Sequence, residues 1–231
     1  MTKALNKAVI VLGFARSDGA ATGDGAAVRR AVREALSAGL KELIFVTADS
    51  LTPVEAQVGD IGPGKPERVV VARQFTAANL GEALCGVRHL LDEEPFVLLL
   101  PAEMDGVLED GMTSRLVAAY RESSGNIVAL NDETVLQREG SFAAIAANPA
   151  GRYLLQPSVL DALEDNLEAG LAGALLTVAE AWPVTALAPR PRAARLQPLV
   201  PPSERPTVRA PRPVALLAAQ TNGGRAGNPG L

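Results

Sequence analysis

The chain has 231 residues, 48% of them hydrophobic, and a formal net charge of −4 at pH 7. This length is enough for one α/β domain with a substantial core and hardly enough for two. The charge is uneven, because residues 1–187 hold 15 basic and 25 acidic residues, whereas residues 188–231 hold seven arginines and one acid, Glu204. An acidic body excludes a nucleic-acid partner, since binding to nucleic acid requires basic surface patches.

The cysteine content and the apolar runs indicate where the protein resides. Cys85 is the single cysteine, which excludes an internal disulfide and favours a reducing compartment. The apolar run from Ala8 to Leu12 is too short for a signal peptide. No segment approaches the roughly 20 apolar residues that a membrane-spanning helix needs. We therefore expect a cytoplasmic protein with no membrane partner.

Strands and helices alternate along the first 187 residues. The predicted strands are 7–12, 41–47, 69–72, 95–100 and 126–130, with weaker candidates at 141–146 and 152–155. The predicted helices are 26–38, 77–91, 112–122, one with Pro157 at its first position, and 172–181. In the helix 26–38, the polar face is expected to hold Arg29, Arg30, Arg33 and Glu34. Such alternation predicts an α/β fold with right-handed βαβ units and a Rossmann-like, mostly parallel sheet flanked by helices.

The first strand, the glycine-containing loop from Gly13 to Gly25 and the following helix resemble a phosphate cradle. Such a loop and a helix N-terminus present free backbone N–H groups to an anion. The loop contains one cation, Arg16, and no lysine lies between Lys7 and Lys41. The pattern therefore predicts a nucleotide-binding scaffold with few groups for chemistry.

Residues 188–231 differ from the rest of the chain. They contain nine prolines and seven arginines and show no helical spacing, apart from the short apolar run from Val214 to Ala219. This composition predicts an extended, largely disordered tail. We expect a domain at 1–187 and a Pro/Arg-rich tail at 188–231.

Two local patterns are weak candidates for other sites. Residues 59–65 match the first seven positions of a P-loop, but Pro66 occupies the Ser/Thr position that must reach Mg²⁺, and a strand is predicted to follow. His89 is the only histidine, which leaves no basis for a histidine metal site or a catalytic triad.

Three segments in the same order resemble a known family. They are KAVIVLGFA…VREALSAGLKELIFVTADS at 7–50, ARQFTAANLGEALCGVRHLLDEEPFVLLLPAEM at 72–104 and NPAGRYLLQPSVLDALE at 148–164. Together they resemble the bacterial UTP–glucose-1-phosphate uridylyltransferases of the sugar-phosphate nucleotidyltransferase superfamily. The resemblance implies a nucleotidyltransferase-type sheet and UTP or UDP-glucose as ligands. It also implies that Gln74 and Gly81 lie near the uracil and Gly151 near the sugar.

The sequence departs from that family at the residues that carry its chemistry. The family's Gly-x-Gly-Thr-Arg loop and Lys-Pro-Lys-Glu stretch are absent between Leu12 and Gly25, and Ala102 stands where the family has a metal-binding aspartate. Nucleotidyl transfer brings two anions together and needs Mg²⁺ and positioned cations. We therefore expect a catalytically degenerate protein that acts through association, because the family commonly forms oligomers. The partner is a second copy or an active uridylyltransferase.

An active enzyme is the alternative that the sequence leaves open. It would make UDP-glucose from UTP and glucose-1-phosphate with Mg²⁺ as its cofactor. Arg16, Glu103 and Asp105 would then take the catalytic roles, because they lie close to the family's active positions.

Overall fold

The computed structural model describes residues 5–13, 25–47, 65–74, 77, 79–104, 111–131, 149–179, 181–188 and 197–198. The strands in these residues are β1 (Lys7–Leu12), β2 (Glu42–Thr47), β3 (Arg68–Arg73), β4 (Phe96–Leu99), β5 (Asn126–Leu130), β6 (Pro149–Leu155), β7 (Val184–Leu187) and β8 (Gln197–Pro198). The helices are α1 (Gly25–Ser37), α2 (Leu80–Gly86), α3 (Met112–Ser123), α4 (Ser158–Asp165) and α5 (Gly170–Val178).

All the strands of the described residues form one sheet in the order β3-β2-β1-β4-β6-β5-β7-β8. The strands β1 to β4 are parallel, and β5 is parallel to β7. β6 is antiparallel to both of its neighbours, and β8 is antiparallel to β7. These pairings confirm the predicted α/β fold with a mostly parallel sheet.

The core consists of two apolar layers, one on each face of the sheet. Side chains of α1 and α3 cover one face, and side chains of α2, α4 and α5 cover the other. All six residues of β1 are buried, with alternate side chains in the two layers. A strand covered on both faces requires the continuous apolar run that the sequence shows here.

The structure differs from the predicted elements at several places. The helix expected at 77–91 is the shorter α2, whose N-cap is Asn79, and it is followed by a 3-10 turn at Arg88–Leu90. β7 is a strand that was not predicted, and β6 extends the predicted strand 152–155 back to Pro149. The weak strand predicted at 141–146 lies outside the described residues.

The segment predicted as a tail is described only at Ala188 and at Gln197–Pro198. Gln197 and Pro198 pair with β7, where the sequence predicted no strand. No helix in the described ranges has the length and apolar character needed to cross a membrane.

Lys7 anchors the amino edge of the sheet, at which the parallel strands begin. It is 2% exposed, and its Nζ donates to Leu91 O at 3.2 Å and forms ion pairs with Asp92 and Glu94. Burial lowers the pKa of Lys7, but its hydrogen bonds to Asp92 and Glu94 outweigh this effect, so that the pKa is raised. The hydrogen bond from Lys7 holds the pKa of Asp92 below its ordinary value.

The lowered pKa of Asp92 predicts an acid-dependent stability difference. A carboxyl whose pKa is lower in the folded than in the unfolded protein stabilises the fold above its unfolded pKa of about 3.9, and this stabilisation is lost as the pH falls through the folded pKa. Asp92→Asn is therefore expected to lower the free energy of unfolding at pH 7, with the difference from the parent closing in acid. Urea titrations between neutral and acidic pH measure this difference. Asp165→Asn, an exposed site on α4, is the control. A difference for Asp92→Asn that stays constant across the pH range would contradict the assignment.

Candidate functional site

The candidate site lies at the carboxyl edge of the sheet, between the ends of β1 and β4. From β1 the chain passes to β2 on one side, and it later returns to place β4 on the other side. In open α/β sheets, ligands bind in the crevice beside such a switch point, at the carboxyl ends of the strands. This strand order therefore places the candidate site, which we call the crevice, between Gly13 after β1 and Leu100 after β4.

The β1 side of the crevice is described only at its borders. Gly13 follows β1 with φ +82°, and α1 begins at Gly25. The left-handed conformation at Gly13 is one that glycine adopts readily. Arg16, the predicted loop cation, lies outside the described residues.

The β4 side of the crevice is a tight turn, Pro101–Glu103. Ala102 is exposed, whereas Glu103 is partly buried and accepts a 3.5 Å contact from the Tyr153 hydroxyl of β6. Asp105 lies outside the described residues. Of the three predicted catalytic residues, the structure therefore places Glu103 at the crevice and describes neither of the other two.

Gly151 lies directly beside this turn. Its backbone O accepts a hydrogen bond from Leu100 N at 2.8 Å, and its φ is +66°. A Cβ at this position would lie 2.7 Å from Leu100 O and 2.8 Å from Glu103 Cβ. The structure thus brings the predicted residues Glu103 and Gly151 together, and it accounts for the glycine by close packing of the backbone.

Gln74 lies further along the same edge, and Gly81 lies in α2, the helix that follows. Gln74 follows β3, its N–H donates to Thr47 O at 2.9 Å, and its side-chain amide occupies the space that a Cβ at Gly86 would take. Gly81 is buried in α2, where a Cβ would lie 3.3 Å from the Leu167 side chain. β3 and β6 are separated by three strands in the sheet order. At about 4.8 Å between neighbouring strands, Gln74 and Gly151 are roughly 19 Å apart along the edge.

A buried ion pair beside the crevice was not predicted from the sequence. Arg152 of β6 is 0% exposed, and its Nε and Nη2 each donate to the Glu34 carboxylate of α1 at 2.7 Å. Arg152 Nη1 donates to Ala150 O at 2.8 Å, and the Thr113 hydroxyl of α3 donates to Glu34 at 2.8 Å. The placement of Glu34 on the polar face of its helix was therefore wrong, because Glu34 is 7% exposed and faces the sheet.

The sequence contains one signal for this ion pair. Arg152 is a charged residue inside an otherwise uncharged strand, and a charge in such a position must find a partner. Glu34 is the acidic residue among the three arginines of α1, but the sequence does not show that the two meet.

Two arginines on elements that border the crevice form hydrogen bonds and ion pairs with other residues of the protein. Arg152 is fully engaged with Glu34 and Ala150. Arg30 of α1 donates to Met104 O at 3.0 Å and lies 3.8 Å from the Glu34 carboxylate. Both guanidinium groups therefore stabilise the walls of the crevice.

The described residues do not form a metal site by themselves. No group of three His, Cys, Asp or Glu side chains in the described ranges is placed to hold a metal ion. At the end of β4 these residues offer Mg²⁺ the carboxylate of Glu103, whereas Mg²⁺ in proteins is usually held by one or two carboxylates together with substrate phosphates.

Solved structures with this architecture include a UDP-glucose pyrophosphorylase from Acinetobacter baumannii. It is 21% identical to this chain, with a TM-score of 0.61 over 84% of this chain and 88% of that one. A UDP-glucose pyrophosphorylase complexed with UDP-glucose is 16% identical, with a TM-score of 0.58 over 84% and 92%. A putative glucose-1-phosphate thymidylyltransferase from Bacillus anthracis is 13% identical, with a TM-score of 0.57 over 79% and 86%.

No protein-family model matches the chain, and no curated protein sequence matches it. At these levels of identity, structural likeness shows the fold and not the activity. The chain therefore has the fold of the sugar-phosphate nucleotidyltransferases.

Proposed function

We propose that this chain is a divergent uridylyltransferase-like protein that has lost catalysis and acts through protein association. The observation that carries the proposal is the end of β4, where the exposed Ala102 stands at the position of the metal-binding aspartate in the family that the sequence resembles. The partner is a second copy of this chain or an active uridylyltransferase. An inert copy with the same fold would adjust the activity of such an enzyme by occupying a subunit position.

The arginine contacts support the loss of catalysis. Uridylyl transfer joins an anionic sugar phosphate to an anionic triphosphate, so its transition state requires Mg²⁺ and cations aimed at the phosphates. Arg152 and Arg30 are instead directed at Glu34 and at a backbone carbonyl. Removal of one such electrostatic group costs on the order of 10²–10³ in rate. Losing several leaves little turnover.

A second candidate function is retained because Glu103 lies at the end of β4. In that function the chain forms UDP-glucose from UTP and glucose-1-phosphate. Arg16 would neutralise phosphate charge, and Glu103 and Asp105 would hold Mg²⁺. Gln74, Gly81 and Gly151 would border the UTP or UDP-glucose ligand. The carboxyl-edge crevice between β1 and β4 supports a ligand of this kind in either function.

A turnover assay on the purified full chain separates the two functions. With UTP, glucose-1-phosphate and Mg²⁺, pyrophosphate release is expected to be at least about 10³-fold below that of an active uridylyltransferase measured in parallel. Turnover within tenfold of that enzyme, abolished by Glu103→Gln and by Asp105→Asn, would contradict the proposed loss of catalysis. A matched control is Glu122→Gln, which changes an exposed carboxylate at the end of α3.

Ligand binding and association are measured separately. Calorimetric titration with UDP-glucose, with and without Mg²⁺, reports whether the crevice retains a ligand after catalysis is lost. Sedimentation of the chain alone and mixed with an active uridylyltransferase reports association. A chain that remains monomeric in both samples would contradict the proposed mode of action.

A further inference from the structure

Two large hydrophobic side chains remain exposed on and after α5, namely Leu176, which is 39% exposed, and Trp182, which is 41% exposed. The other exposed large hydrophobic side chain of the described residues, Val69, lies on β3. Ala172 and Ala179 are partly buried and share a helical stripe with Leu176, because residues three and four apart lie on one face of a helix. We call these four residues the α5 patch.

Hydrogen bonds fix the backbone at Trp182 and at the residue that follows it. Trp182 N–H donates to Val178 O at 2.8 Å, and the next residue, Pro183, accepts a hydrogen bond from Asn126 N at 2.8 Å. Gly125 packs so closely against Pro183 that a Cβ there would overlap the Pro183 carbonyl. An exposed aromatic ring on a fixed backbone is typical of a residue that anchors a contact.

The last described residue, Pro198, lies near this patch. In the antiparallel pair of β7 and β8, Gln197 lies opposite Ala186 and Pro198 lies opposite Thr185. β8 therefore points toward the start of β7, which Trp182 and Pro183 precede. Paired Cα atoms in antiparallel strands are about 4.5–5.5 Å apart, so Pro198 lies within a few residues' length of Trp182.

We propose that the C-terminal segment, residues 199–231, docks on the α5 patch of its own chain. Its apolar run from Val214 to Ala219 is the part that covers Leu176 and Trp182. The sixteen residues that follow Pro198, through Val214, would span about 50 Å if extended, more than three times the length of a nine-residue helix of about 14 Å. The apolar run therefore reaches every part of α5.

The charges of the two partners favour this contact. Between Pro198 and the apolar run, the segment carries Arg205, Arg209 and Arg212 against Glu204. Asp165 at the end of α4 and Glu168 in the turn before α5 are exposed. A tethered segment also has an effective concentration in the millimolar range, far above that of a separate partner at micromolar concentration. This inference stands apart from the proposed function and does not depend on it.

The single tryptophan of the chain makes the contact measurable, because all tryptophan emission comes from Trp182. In the full chain, replacing Leu216 and Leu217 with serine removes the proposed apolar cover of the Trp182 ring. The acrylamide quenching constant of Trp182 is then expected to rise at least about 1.5-fold, and its emission to shift to longer wavelength. The matched control, Thr221→Ser with Asn222→Ser, alters the same segment outside the apolar run and leaves quenching unchanged.

Two results would overturn the proposal. The first is equal quenching in the parent and in the Leu216→Ser, Leu217→Ser variant when both show the same circular dichroism. The second is quenching that decreases as the parent protein is concentrated, together with dimers in sedimentation, which would make a second copy the occupant. Replacing Arg205, Arg209 and Arg212 with serine provides an independent variant, for which increased quenching at low salt is expected.

Discussion

Replacing Arg152 with alanine is expected to lower the free energy of unfolding by about 3–5 kcal/mol, because it removes the bidentate cationic partner of the buried Glu34 carboxylate. Arg152 is 0% exposed and Glu34 is 7% exposed, so bulk solvent does not screen their interaction in the folded protein. Two 2.7 Å hydrogen bonds join the pair in a bidentate arrangement. Urea unfolding at pH 7, followed by circular dichroism, measures the loss.

Replacing both partners shows whether the ion pair stabilises the fold more than apolar side chains would. The single replacement cannot show this, because it also leaves one charge buried without its partner. A hydrophobic replacement of both partners, Glu34→Leu with Arg152→Met, is expected to recover most of the loss, since the desolvation cost of both charges disappears. The remaining loss, about 1 kcal/mol for each group, comes from the Thr113 hydroxyl, which loses its carboxylate acceptor, and from the Ala150 carbonyl, which loses its guanidinium donor.

An exposed ion pair is the matched control. Lys41 and Glu67 pair at 2.5 Å with 57% and 61% of their side chains exposed. Lys41→Ala is expected to change the free energy of unfolding by less than about 1 kcal/mol, because solvent screens such pairs. If Arg152→Ala lost no more than Lys41→Ala, the buried pair would not be a structural link.

The location of this link explains why it matters for the crevice. Glu34 lies on α1, which follows the glycine-containing loop, and Arg152 follows Gly151, which contacts the turn after β4. The ion pair therefore joins the two walls of the crevice across a sequence separation of 118 residues. Its guanidinium is engaged in this link, which is the physical reason for assigning Arg152 to structure and not to phosphate binding.

The central strands were predictable because their local composition indicates that they are buried. β1, β2 and β4 are nearly continuous apolar runs, and each is covered on both faces. The alternation with helices then predicted parallel pairing, which the structure confirms for β1 to β4. Local patterns were sufficient here because every residue of the strand experiences the same environment.

The second half of the sheet was less predictable because its order depends on distant contacts. β6 lies between β4 and β5 and is antiparallel to both, and its own residues do not indicate this direction. β7 has only four residues and follows a Trp-Pro pair, so no periodic pattern marks it. α2 ends at Gly86, where the side chain of Gln74 occupies the space next to the helix.

The predicted site residues divide in the same way. The resemblance implied that Gly151 lies near the sugar and Glu103 close to the family's metal-binding position, and the structure places the two residues side by side. Their roles remain predictions. Arg16 and Asp105 lie outside the described residues and remain predictions. The Glu34–Arg152 pair was missed because a helix pattern assigns a charged residue to solvent unless its partner is known.

Replacing Gly151 with alanine is the second substitution with a large expected effect. At φ +66°, any other residue is strained by about 1–2 kcal/mol. The new Cβ would also meet Leu100 O at 2.7 Å, and this backbone atom moves only if the pairing of β4 with β6 shifts. Overpacking of this kind costs about 1–3 kcal/mol, so the total expected loss is roughly 3 kcal/mol in the free energy of unfolding.

Gly39→Ala separates the two contributions. Gly39 has φ +84°, but a Cβ there meets nothing within 4 Å, so only the conformational cost of about 1–2 kcal/mol is expected. A loss for Gly151→Ala that exceeds the loss for Gly39→Ala, without any ligand, means that the glycine is required by the turn after β4. Equal losses would show that the turn moves aside readily. A glycine at position 151 would then be better explained by ligand binding, because the family resemblance places this glycine near the sugar.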